Sequence, residues 1–94
     1  MKGDDFPASM DGADMRAARA HLGALWRLGR PATMTELGRV LGLEGRDVGA
    51  SVRDWERGKS PIRGPTRIAI RALLDGWRPG ELESYLRRAG DQDE

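Results

Sequence analysis

The 94-residue chain contains no cysteine, a single histidine (His21) and only 5% aromatic residues. Without cysteine it can form neither a disulfide framework nor a thiolate metal site, and one histidine is too few for a histidine-built zinc site. No apolar run approaches the ~20 residues of a membrane span. The acidic N-terminal segment lacks the apolar stretch of a secretory signal. We therefore expect a soluble cytoplasmic protein of one domain, with no metal site and no cofactor.

An excess of charge of one sign is also missing, since the formal net charge is only +1. The charges are nevertheless segregated along the chain. Residues 15–80 carry a net charge of +7, whereas residues 1–14 and residues 81–94 each carry −3. Fourteen of the 16 basic residues are arginines, and arginine suits bidentate contacts with phosphate and guanine. A GC-rich coding bias explains the number of arginines equally well, so the segregation is the more informative feature.

Apolar residues recur at helical spacing, and no alternating β pattern is present. The spacing predicts a first helix that opens at Asp11 or Gly12 and ends by Gly29. A capping box, in which Thr33 and Glu36 each bond the backbone of the other, predicts the start of a second helix over about 34–41. The fold class is therefore all-α, a compact bundle of about five short helices.

The segment 43–50 is ambiguous, because its two glycines weaken a helix. A third helix is predicted over about 47–57, with Ser51 as an alternative start and Gly58 as its C-cap. Pro65 fits the first turn of a fourth helix. A fifth helix, opened by Pro79, follows. The predicted organisation is a flexible acidic arm over 1–11, a helical domain over 12–90 and an acidic tail over 91–94.

Several short motifs lie in the middle of the chain: Glu36-Leu37-Gly38, then Leu41-Gly42-Leu43, then Val52-Arg53-Asp54-Trp55-Glu56-Arg57-Gly58. Together with the Gly64-Pro65 pair before an apolar helix, this pattern resembles the phage repressor/Cro-like (XRE-type) helix-turn-helix family, over roughly residues 12–77. The resemblance implies a lambda repressor-like fold and a sequence-specific DNA-binding regulator. Nine residues separate Gly42 from Val52, more than is usual in the family, so either the turn or the third helix is longer here.

The resemblance also implies which residues touch DNA. The N-terminal half of the third helix would meet base edges in the major groove, while residues around it would bind phosphates. The alternative for each charged residue is a solvated helix face or loop. The implied base contacts are Arg46, Asp47, Ser51, Arg53 and Asp54. The implied phosphate contacts are Thr33, Thr35, Arg39, Arg57, Lys59, Ser60 and Arg63.

One small module makes few contacts with DNA, so a homodimer on an inverted-repeat operator is expected. The candidate dimer surface is an apolar stripe, which could instead simply close the core: Trp77, Leu82, Tyr85 and Leu86. A second hypothesis is a protein-interaction module or antitoxin-like partner protein that uses the same fold without reading DNA. We expect no enzyme, because no nucleophile–base set is visible. Localisation would be cytoplasmic, in association with the nucleoid.

Overall fold

Five α-helices form the part of the chain that the structure, a computed structural model, describes (residues 10–92). They are α1 (Gly12–Leu25), α2 (Met34–Val40), α3 (Gly49–Arg57), α4 (Gly64–Leu74) and α5 (Leu82–Gln92). No strand occurs within residues 10–92. The predicted all-α bundle of about five short helices is confirmed. None of the described helices is long and apolar enough to cross a membrane.

The starts of α1 and α2 are fixed by reciprocal side-chain caps. The Thr33 hydroxyl accepts the Glu36 backbone N–H at 3.0 Å, and the Glu36 carboxylate accepts the Thr33 N–H at 2.8 Å. Asp11 and Asp14 make the same exchange, at 2.9 and 3.0 Å. Each arrangement satisfies backbone donors that an isolated helix end leaves without partners. The predicted capping box and the predicted start of the first helix are therefore confirmed.

The end of α1 lies earlier than the sequence predicts. Arg27 takes a left-handed conformation with φ 60°, and the Leu28 N–H then donates to the Gly23 carbonyl at 2.9 Å. This bond closes the helix at Leu25, four residues before Gly29.

The connection from α2 to α3 takes up most of the residues between Gly42 and Val52. The third helix begins at Gly49 and not at Ser51, which lies inside its first turn. It ends at Arg57, and Gly58, with φ 78°, is the C-cap as predicted.

The fifth helix extends into the predicted C-terminal tail. The fifth helix starts at Leu82 and not at Pro79, and it continues as far as Gln92. The first two residues of the predicted 91–94 tail are therefore helical. Residues 1–9 of the predicted arm and residues 93–94 of the tail lie outside the described residues.

The core collects one apolar stripe from each helix. Its central, fully buried side chains include Met15, Leu22, Leu37, Val52 and Ile70. Within this bundle α2 packs against α3 and α5, and α1 packs against α3 and α4. A side chain at Gly38 would place its Cβ 2.8 Å from the Val48 carbonyl oxygen. Glycine at this position is what allows the start of α3 to lie directly on α2.

Candidate nucleic-acid interface

Helix α3 is held by one face and presents the other to solvent. Val52 and Glu56 are buried on the inner face. Ala50, Asp54 and Arg57 follow at spacings of four and three, which places them on the opposite side of the helix. Ser51, next to Ala50, is exposed, as is Arg57. The outer face is therefore small and polar in its first turn and basic in its last.

The C-terminal end of α3 is anchored to α1 through the buried carboxylate of Glu56. Arg19 donates from Nη2 to Glu56 Oε1 at 3.1 Å and from Nε to the other oxygen. The same guanidinium donates from Nη1 to the Ala32 carbonyl at 2.9 Å. Arg16 Nε lies 3.6 Å from Glu56 Oε1. One arginine of α1 thus connects the C-terminal end of α3 to the segment that precedes α2.

A second buried carboxylate fixes the start of α2. Arg30 donates from Nη1 and Nη2 to the two oxygens of Glu36, at 2.9 and 2.8 Å. Burial raises the pKa of Glu36, but the hydrogen bonds from Arg30 and from the Thr33 backbone outweigh this effect and leave the pKa below its ordinary value. The hydrogen bonds and the charge of Glu36 in turn raise the pKa of Arg30. Each of the two glutamates that support α2 and α3 is therefore paired with an arginine inside the bundle.

The candidate base-contact residues lie on the connection before α3 and on its first turns. Arg46, Asp47 and Ser51 are exposed, whereas Arg53 and Asp54 are partly buried. The structure brings one pair together, because Arg53 Nη2 donates to Asp47 Oδ2 at 3.1 Å. Arg46 has no hydrogen bond or ion pair with the described residues.

Four of the candidate phosphate contacts lie at the C-terminal end of α3 and on the loop that leads to α4. Arg57, Lys59 and Arg63 are exposed and Ser60 is partly exposed. None of the three cations has a carboxylate partner among the side chains of residues 10–87. They are free to meet an anion, as phosphate contacts require.

The candidates on α2 lie in less suitable places. Thr35 is 1% exposed, and its Oγ1 lies 3.0 Å from the position of a Cβ on Gly49, so the hydroxyl is out of reach of a phosphate. The Thr33 hydroxyl caps α2. Arg39 has a buried Nε without a hydrogen bond, and it lines a pocket with Glu44 and Glu81. Those two carboxylates disfavour a phosphate there.

The candidate dimer stripe is divided between the core and the surface. Leu82 is 2% exposed and belongs to the core, and Tyr85 and Leu86 pack against that core while partly exposed. Trp77 remains 54% exposed and borders a shallow groove with Leu25. Of the four residues, Trp77 is the one that a partner could cover most extensively.

Sequence reasoning missed the arginine–carboxylate pairs, among them Arg19–Glu56, Arg30–Glu36 and Arg53–Asp47. The Arg19–Glu56 pair joins residues 37 positions apart, so nothing local indicates it.

Within residues 10–87 no group of three acidic or histidine side chains could hold a metal ion. Comparison with known proteins gave no match to a family model, a curated protein or a solved structure. The functional argument therefore depends on the residues of this chain.

Proposed function

We propose that the protein is a sequence-specific regulator of transcription that binds double-stranded DNA, acting as a dimeric repressor on an inverted-repeat operator. The observation that carries the proposal is the setting of α3, which is anchored through Val52 and Glu56 and exposes its opposite face. Cations without a carboxylate partner in the described residues flank that face: Arg46, Arg57, Lys59 and Arg63.

The exposed side chains suit the chemistry of the major groove. That groove admits one α-helix, and its base edges offer donors and acceptors that distinguish all four base pairs. Arg53 can pair with O6 and N7 of guanine, Ser51 with several bases, and the Asp54 carboxylate can accept from N4 of cytosine. The cations at the end of α3 would meet phosphates, which orient a protein without reading sequence.

The internal ion pairs separate the arginines that stabilise the fold from the cations that could bind DNA. Glu36 and Glu56 neutralise Arg30 and Arg19 within the fold, so these two arginines are not expected to bind phosphate. Exposed cations without a carboxylate partner among the described side chains lie beside α3, at Arg46, Arg57, Lys59 and Arg63. Attraction to the phosphate backbone makes such binding weaken steeply with salt.

Dimerisation would give the protein the second recognition helix that an inverted repeat requires. Half-sites one helical turn apart would lie about 34 Å from each other. The exposed Trp77 supplies an apolar side chain of a type enriched in protein interfaces. Of the four residues in the candidate dimer stripe, it is the most exposed and would form the centre of the dimer contact.

Selection of bound sequences from a pool of random duplexes tests the proposal. We expect enrichment of one sequence arranged as an inverted repeat. Lys59→Ala should weaken binding to all duplexes about equally and reduce the salt dependence by about one phosphate contact. A bound pool that stays as random as the starting pool would contradict the proposal.

The second candidate function is a protein-interaction module that keeps the fold without reading DNA. The exposed apolar side chains of Trp77 and Leu25 favour it, since contiguous apolar surface marks interaction sites. In that case, duplex DNA of any sequence should fail to bind even at low salt. Trp77→Ser should then abolish association with the protein partner while leaving the fold intact.

A further inference from the structure

Asp47 and Arg53 form an ion pair on the exposed side of α3, and no other is present there among the side chains of residues 10–87. Asp47 is tied to the helix by its own backbone, because its carbonyl accepts the Ala50 N–H at 3.1 Å. Its Oδ2 accepts from Arg53 Nη2 at 3.1 Å. The two side chains are 51% and 32% exposed. The backbone of Asp47 is therefore held in place, and its carboxylate restrains the Arg53 side chain, which still faces solvent.

The restraint leaves most of the guanidinium available. Arginine has five N–H donors in a planar fork, and the contact with Asp47 uses one of them. The other donors of Arg53 have no partner among residues 10–87. Guanine offers two adjacent acceptors in the major groove, O6 and N7, which match such a fork.

Arg53 differs in this respect from the exposed cations nearby. Arg46, Arg57 and Arg63 have no carboxylate partner in the described part of the chain. Their side chains can take many rotamers and can follow the phosphate backbone wherever it lies. An arginine held at one place by a carboxylate has lost that freedom before it binds, and the loss is a cost that binding would otherwise include.

We propose, on the basis of the DNA-binding function above, that Asp47 is a positioning residue for Arg53 and that the pair selects guanine at one operator position. The Asp47 charge contributes in a second way, since it repels phosphates from this part of α3. Arg53 therefore contacts a base edge, and the cations of the following loop, Lys59 and Arg63, contact the phosphates.

Stability of the fold is a poor alternative explanation for the pair. Ion pairs between exposed side chains contribute little to the free energy of unfolding. Both residues lie outside the core, so variants at either position should fold. Loss of the pair should therefore change recognition and leave the thermal midpoint almost unchanged.

The test is selection from a library of random duplexes with constant flanks, performed with the wild-type protein, Asp47→Asn and Arg53→Ala. The wild type should enrich a guanine that Arg53→Ala no longer prefers. Asp47→Asn should reduce the preference for that guanine about two- to tenfold, the effect expected for freeing one long side chain. On an Arg53→Ala background, Asp47→Asn should leave the base preferences unchanged.

Glu44→Gln is the matched control. It removes the same charge from the same connection, and Glu44 is exposed and has no hydrogen bond or ion pair within the described residues. It should strengthen binding to all duplexes alike and keep the guanine preference. An Asp47→Asn variant that selects the wild-type sequence with wild-type preference would overturn the positioning role while the DNA-binding function stands. A wild-type protein that enriches no sequence would overturn both proposals.

Discussion

A left-handed residue follows four of the five helices, and at one of them it is not glycine. Gly42, Gly58 and Gly76 take φ values of 89°, 78° and 108°, whereas Arg27 takes 60° after α1. In each case the N–H of the next residue bonds back into the last turn of the helix, which is the Schellman pattern. A side chain in this conformation costs roughly 1–2 kcal/mol, a cost that glycine avoids.

Arg27→Gly should therefore stabilise the protein. We expect the free energy of unfolding to rise by about 0.5–1 kcal/mol, since glycine relieves the strain at φ 60° but also makes the unfolded chain more flexible. Urea unfolding followed by tryptophan fluorescence measures the change. Arg27→Ala is the control, because alanine loses the same charge and retains the strain. Equal stability of the two variants would contradict this account of the end of α1.

The buried Glu36 should make stability depend on pH in the acid range. Its pKa in the folded protein lies below the value of 4.5 for a free side chain, so folding favours the ionised form. The resulting stabilisation is complete above pH 4.5 and is lost as the pH falls through the pKa of the folded state. Unfolding by urea at a series of pH values between 7 and 3 should show this loss.

Glu36→Gln isolates the contribution of this carboxylate. The variant should be about 1–3 kcal/mol less stable at pH 7, since charge-assisted hydrogen bonds to Arg30 are weakened, and its stability should fall less steeply between pH 5 and 3. A slope identical to that of the wild type would show that other carboxyl groups dominate the acid response.

Local signals of one to three residues made the starts of α1 and α2 and the end of α3 predictable. Asp11 and Thr33 are caps that act through near neighbours, and Gly58 closes α3 for a reason visible in the sequence itself. The end of α1 was not predictable, because Arg27 takes a conformation that arginine rarely adopts.

At the scale of the helices, one side chain of α1 connects α1 to α3 and to the segment that precedes α2. Arg19 of α1 bonds the Glu56 carboxylate of α3 and the Ala32 carbonyl before α2. The Glu56 side chain is only 4% exposed, and Arg19 is the arginine that hydrogen-bonds both of its oxygens. The close approach of Gly12 to the Glu56 backbone brings α1 near enough for the contact.

Loss of the Arg19 partner should be costly, whereas loss of the whole pair should cost less. Arg19→Met leaves a buried carboxylate with only the more distant Arg16, and we expect a loss of about 3 kcal/mol. The double variant Arg19→Met/Glu56→Met removes both charges and should be more stable than Arg19→Met alone. Urea unfolding of Arg19→Met, Glu56→Met and the double variant measures the coupling free energy between the two residues. Additive losses would contradict this account of the Arg19–Glu56 pair.

The surface that α3 presents was partly predictable from the sequence. The inward position of Val52 follows from helical spacing, and so does the outward position of Arg57. The burial of Thr35 and Leu82 depends on how α2 packs against α3 and α5, which no local pattern encodes. The pairing of Asp47 with Arg53 likewise depends on where the connection after α2 ends.

At the scale of the whole molecule, a net charge of +1 conceals an ordered arrangement. Two of the acids are buried beside arginines that hold the bundle together, at Glu36 and Glu56. The exposed cations around α3 keep no such partners within the described residues. A nearly neutral composition is thus compatible with a local surface that attracts DNA, because the potential near a surface depends on where its charges lie.

The most direct test of the central claim is a titration of the ¹⁵N-labelled protein with a duplex of about two helical turns, followed by amide chemical shifts at low and high salt. The account predicts shifts concentrated in residues 45–63, which hold the connection before α3, its exposed face and the following loop. The amides of α5 should change little, and the shifts should diminish at high salt. An absence of shifts at low salt, or shifts centred on α5, would contradict the claim that α3 contacts DNA.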